Sequence, residues 1–86
     1  MLKHNYSTTE VLTILQEECA EVIVQASKIK RFGHEPRLMR RLAEEIGDLQ
    51  CMIDICQEYD LISFTDIEEY GQQKREKLKV FSDILG

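Results

Sequence analysis

Acidic side chains fall at two places along this chain where apolar ones are expected. The first is Glu17-Glu18-Cys19-Ala20-Glu21, and the second is Glu44-Glu45-Ile46-Gly47-Asp48. At ~100° of rotation per helical residue, Val11, Ile14, Leu15, Val22 and Ile29 all lie within roughly 60° of Glu18. Glu18 therefore sits in the middle of an apolar stripe, with Glu21 at its edge and Glu17 further round. Leu38, Leu42, Leu49, Met52 and Cys56 surround Glu45 in the same way, and Asp48 stands one turn on. Carboxylates gathered on core stripes are unfavourable unless they are protonated, ion-paired or bound to a cation. Arg40 or Arg41 could pair with some of them, but four acids on two stripes point to a divalent metal held by Glu18, Glu21, Glu45 and Asp48. An all-oxygen set suits Mg²⁺, with Mn²⁺ as a substitute, rather than zinc or copper. A di-iron site needs Glu-x-x-His pairs, and neither His4 nor His34 follows a core carboxylate at that spacing. Glu44 reads as part of a solvated face.

A later segment breaks its pattern with the opposite sign. Ile67, Tyr70, Leu78 and Phe81 lie within roughly 40° of Lys74, and Lys77 is one turn further. Lysine stems can cover apolar surface while the ammonium reaches water. Alternatively, Lys74 and Lys77 face the acidic seam and bind an anion that the metal holds. Mg²⁺ beside lysines is the equipment for a phosphorylated small molecule. The chain has no P-loop, GxGxxG or Ser/His/Asp arrangement that would support other nucleotide chemistry.

The elements that must position these groups are three helices and no strands. Ser7-Thr8-Thr9-Glu10 reads as a capping box that opens helix one. That helix runs to about Phe32, where Gly33 supplies a left-handed stop. Pro36 suits the first turn of helix two, which reaches about Tyr59. A second capping box, Thr65-Asp66-Ile67-Glu68, opens helix three, which runs to about Ser82 and tolerates Gly71 at a cost of about 1 kcal/mol. Short connections favour antiparallel neighbours, so the expected fold is an all-α antiparallel bundle. Helix one is apolar almost all round, which points to burial on several sides and to self-association.

The chain has 86 residues and 10.1 kDa, which is room for one domain, residues 1–86, with a thin core. Eleven basic against sixteen acidic residues give a net charge of −5. That balance argues against binding of nucleic-acid polymers, which requires a basic face. Every apolar stretch is interrupted by charge too soon to span a membrane. Met1–Asn5 has no apolar run behind Lys3, so no signal peptide is expected. Cys19, Cys51 and Cys56 are odd in number and lack C-x-x-C spacing, and they read as small core residues in a reducing cytoplasm.

The acidic motifs, in this order and separation, resemble the EExxE … ExxD signature of the MazG-like all-α nucleoside triphosphate pyrophosphohydrolases. Their surroundings agree: Leu15-Gln16 before the first motif, Lys30-Arg31-Phe32-Gly33 between, and Arg41-Leu42-Ala43 before the second. The resemblance extends from about Val11 to the Lys74–Lys77 region. It implies Mg²⁺-dependent hydrolysis of an NTP or dNTP to the monophosphate and pyrophosphate, in control of nucleotide pools. It also implies a homodimer or homotetramer with sites at subunit interfaces. In that mapping Glu18, Glu21, Glu45 and Asp48 ligate metal, with Glu18 and Glu45 also counted as catalytic. Glu17 would hold a further metal or orient the attacking water, and Lys74 and Lys77 would meet the outer phosphates. Compact members of this kind are common in bacteria and bacteriophages. Base selection could draw on Phe32, Tyr59, Tyr70, Gln25 and Asp54.

Two other readings of the same residues stand beside this one. A non-catalytic helical interaction protein would pair its buried acids with a partner's basic residues. A metal-dependent phosphohydrolase would release phosphate instead of pyrophosphate.

Overall fold

The computed structural model describes residues 6–85, with side chains from Ser7 onward. Over that range the chain forms three helices and no strand: α1 (Tyr6–Phe32), α2 (Pro36–Glu58) and α3 (Phe64–Phe81). The expectations drawn for Met1–Asn5 and His4 fall outside the described residues.

The helix boundaries follow local chemistry. Gly33 adopts φ +94 and donates its N–H to the Ile29 carbonyl at 2.9 Å, so the expected left-handed stop ends α1. Pro36 opens α2 in the first turn, where its missing N–H leaves nothing unpaired. α2 ends at Glu58, with Tyr59 as its C-cap, about where expected, but the device that ends it was not foreseen. Asp60 takes the left-handed conformation (φ 60), and its N–H donates to the Gln57 carbonyl while the Leu61 N–H donates to that of Cys56. These two bonds define a Schellman motif with an aspartate where glycine is usual. Leu61 then folds back onto the cluster that contains Cys56, which supplies the motif's usual hydrophobic contact.

Two expected caps move. Ser7 is already helical, so it does not cap α1. At α3 the cap is Ser63, two residues earlier than Thr65, and its Oγ accepts from the Asp66 N–H at 3.0 Å. Ser63 has extended backbone, which leaves its hydroxyl free to reach that third-position amide.

Packing is concentrated between α1 and α2. Val11 of α1 clusters with Met52 and Cys56 of α2, and Ile14, Leu15, Ile55, Tyr59 and Leu61 pack around them. Midway along the seam, Glu18 approaches Glu45 and Asp48. At its far end Lys28 and Phe32 share a shallow cavity of about 300 Å³ with Glu35, Arg37 and Leu38. Against expectation, α3 makes little contact with either helix and buries no residue. Its stripe offers only Ile67 and Leu78 as half-buried side chains, interrupted by Lys74. Nor is α1 covered on several sides within one chain, since Leu12, Ile23 and Val24 are exposed. No helix is long and apolar enough to cross a membrane among the described residues.

Candidate metal centre

Each acid sits where its helical angle places it. Glu45, at the centre of the α2 stripe, is only 6% exposed. Glu18, at the centre of the α1 stripe, is half-buried, while Asp48 and Glu21, at the stripe edges, are exposed. One carboxylate oxygen from each of Glu18, Glu45 and Asp48 lies within 4.8 Å of the others. The two helices thus bring together three of the four expected ligands. Glu21 is not one of that close group, although its charge acts on Glu18. Glu17 is exposed and acts on Glu18 in the same way.

The electrostatics record the crowding. Burial, followed by the charges of Asp48, Glu45, Glu21 and Glu17, raises the Glu18 carboxyl above the ordinary carboxylate range. All four of these charges are acidic. Relief comes from Arg41, one turn before Glu45 on α2. Its Nη2 donates to Glu45 Oε2 at 3.1 Å, and its Nη1 donates to Glu44 Oε1 at 2.7 Å. The hydrogen bond and charge of Glu44, outweighing partial desolvation, strengthen the guanidinium's hold on its proton. Arg41 therefore answers one side of Glu45, while no described residue forms an ion pair with Glu18. Arg40, the other arginine considered, is exposed and forms no ion pair with a described residue.

The remaining expected groups are dispersed. Lys74 and Lys77 are exposed on α3, and neither forms an ion pair with a described residue. His34 is exposed in the α1–α2 connection. Among the base-recognition candidates, Phe32 and Tyr70 are exposed aromatics, and Asp54 is exposed and accepts from Gln50. Tyr59 packs against the core cluster. Gln25 is only 3% exposed, and its Oε1 has no hydrogen-bond partner. It lies seven residues after Glu18 on the same helical line, a polar position legible from spacing, although its burial without a donor was not. The cysteines need a correction. Cys56 is buried as expected, with its thiol pushed up by burial, but Cys19 and Cys51 are exposed. Both lie ~100° or more from the seam, beyond what two packed helices can cover.

Comparison of the chain with protein-family models, curated proteins and solved structures finds no match.

Proposed function

We propose that this chain is a Mg²⁺-dependent nucleoside triphosphate pyrophosphohydrolase of the MazG-like kind, converting an NTP or dNTP to the monophosphate and pyrophosphate. It works as a homodimer or homotetramer, with antiparallel helices completing a bundle between copies. The supporting observation is the convergence of Glu18, Glu45 and Asp48 oxygens from two helices to within 4.8 Å. Around an octahedral Mg²⁺ with oxygens at ~2.1 Å, ligand atoms are ~3 Å apart when adjacent and ~4.2 Å apart when opposite. The three oxygens, none more than 4.8 Å from the others, could share such an ion once drawn closer together. The hard, anionic donor set fits it chemically as well.

Glu18, Glu45 and Asp48 hold the cation in this reading, and Glu21 joins from the seam edge. Arg41 donates a hydrogen bond to Glu45 and so orients that carboxylate. Glu17, exposed beside Glu18, would accept a hydrogen bond from the attacking water. Lys74 and Lys77 meet the outer phosphates. The bound metal would supply Lewis acidity and neutralise charge developing on the departing pyrophosphate.

Incubation with each of the eight common NTPs and dNTPs plus Mg²⁺, with products separated by chromatography, tests the assignment. Monophosphate with pyrophosphate is the expected pair, whereas release of orthophosphate would move the chain to another hydrolase class. Glu45→Gln should reduce pyrophosphate release at least ~10³-fold while the helical circular dichroism stays unchanged. The Arg41–Glu45 pair favours a second reading, a non-catalytic interaction protein whose acids serve ion pairing. In that case Glu18→Leu stabilises the fold, and Mg²⁺ shifts the melting of neither protein.

A further inference from the structure

The acidity of the chain is unevenly spread. Residues 28–41, where α1 gives way to α2, carry six of the eleven cations and one of the sixteen acids, so a segment of charge +5 lies within a chain of −5. Lys30 and Arg31, in the last turn of α1, complement its dipole. The start of α2 follows no such rule. Its first turn holds Arg37 and no acid, and its N-cap, Glu35, makes no side-chain capping bond. A cation there works against the helix dipole, and glutamate is not among the favoured caps, so helix stability does not account for this composition. Nor does ion pairing. Of the six cations only Arg41 forms an ion pair with a described residue.

Two of these cations share one space. Lys28, Phe32, Glu35, Arg37 and Leu38 line the shallow cavity of about 300 Å³, with Leu38 buried and the other four exposed. That volume stands at the lower end of the range of small-molecule sites, ~300–1,000 Å³. The lining groups suit one kind of ligand. An ammonium and a guanidinium match a phosphate monoester, whose charge approaches about −2 at neutral pH. Phe32, 59% exposed and with the Arg31 guanidinium 5.2 Å from its ring centroid, offers a stacking surface to a flat ring. Glu35 repels a bare anion but accepts hydrogen bonds from sugar hydroxyls, as acidic side chains do in dinucleotide sites. Leu38 supplies an apolar wall.

We propose that this cavity is a second, metal-independent ligand site that takes a nucleoside monophosphate, its phosphate between Lys28 and Arg37 and its base against Phe32. The site is separate from the acidic cluster. Leu38 lies seven residues, ~10.5 Å, from Glu45 along α2, and Lys28 lies ten residues, ~15 Å, from Glu18 along α1. Without a metal the acidic cluster repels phosphate, whereas this end of the helix pair attracts it. Two cations around one small cavity match a single phosphate rather than the repeating charge of a nucleic-acid polymer. Neither a divalent ion nor hydrolysis enters the proposal.

Titration calorimetry of the full chain in EDTA tests this, with AMP, adenosine and inorganic phosphate as probes. AMP should bind with a Kd below about 1 mM, and adenosine and phosphate at least ~10-fold more weakly. Lys28→Ala, Arg37→Ala and Phe32→Ala should each weaken AMP at least ~10-fold. Lys30→Ala removes an exposed cation outside the cavity and should change AMP binding less than ~2-fold. All four side chains are exposed, so the variants should keep the wild-type circular dichroism. In the wild-type chain, amide NMR shifts on adding AMP should gather at residues 28–38 and spare 18–21 and 45–48. Absence of binding at millimolar AMP overturns the proposal, as does equal loss in Lys28→Ala and Lys30→Ala, which would mean diffuse attraction. Binding of AMP only with Mg²⁺ overturns it as well, since the ligand would then belong to the metal centre. Phosphate binding as tightly as AMP does the same, because Phe32 would then have no part. Since EDTA removes the metal, a chain that binds AMP yet hydrolyses no NTP would sink the enzyme reading and leave this one standing.

Discussion

At the scale of single residues, the decisive group is Glu18. Burial and four neighbouring acids raise its carboxyl above the ordinary range of about 4.3. Between that ordinary value and the raised native one, the folded chain holds a proton that the unfolded chain has released. Stability contributed by Glu18 is thus fully present below the ordinary value and lost as pH rises through the native one. Denaturant titrations of wild type and Glu18→Gln in the absence of divalent metal should show the variant's advantage growing with pH over this window, then levelling off. Contributions of groups remote from Glu18 cancel in that difference. Adding Mg²⁺ at neutral pH should reverse the ranking, because only the wild-type carboxylate can use the ion. A flat difference with and without Mg²⁺ would mean that Glu18 is neither crowded nor a ligand. The position of Glu18 and Glu45 was legible because helical rotation alone puts them among leucines and valines. The Arg41 bridge was less so, since spacing offered Arg40 and Arg41 alike and only their angles toward Glu45 separate them.

At the scale of elements, the caps can be tested separately from the chemistry. Ser63 accepts from the Asp66 amide, so Ser63→Ala should destabilise by about 1 kcal/mol in urea unfolding, whereas Thr65→Ala should change stability by no more than a few tenths. Asp60 holds φ 60 at the end of α2, a conformation that disfavours any residue with a Cβ. Asp60→Gly should therefore stabilise by about 0.5–1 kcal/mol, and Asp60→Val should destabilise by more than that. These positions explain why the helix interiors were readable and their ends only partly so. Gly33 and Pro36 are residues whose backbone preferences admit few roles, and both boundaries fell where expected. Ser63 and Thr65 are chemically alike, and the choice between them depends on where Leu61 anchors the connection, a tertiary contact that local sequence does not carry. Asp60 stands where glycine is the usual marker. The Cys56–Leu61 packing outweighs the conformational cost there.

At the scale of the molecule, the radius of gyration is 15.6 Å, against roughly 12 Å for a compact chain of 86 residues, and the thinnest dimension is 15 Å. Such a body is a single layer of helices. Its buried apolar residues among those described are Val11, Leu38, Met52 and Cys56. So small a core cannot offset the conformational entropy of three helices, whose ordering costs ~1–2 kcal/mol for each residue's backbone. Phe81, 84% exposed on α3, shows how much apolar surface one copy leaves in water. Apolar positions all round α1 already implied a partner, but that α3 would stand away from its own chain was not visible from stripes whose periodicity looks the same whatever covers them. If folding and association are one event, unfolding must depend on concentration. Raising the protein from ~1 to ~100 μM changes the dimer's stability by about 2.7 kcal/mol, which for a body of this size moves the thermal midpoint by about 5–10 °C. Calorimetric scans across that range should show the shift, and Ile23→Glu should abolish it while lowering the midpoint. A midpoint independent of concentration would require the single layer to be stable by itself, which its four-residue core and uncovered surface do not support.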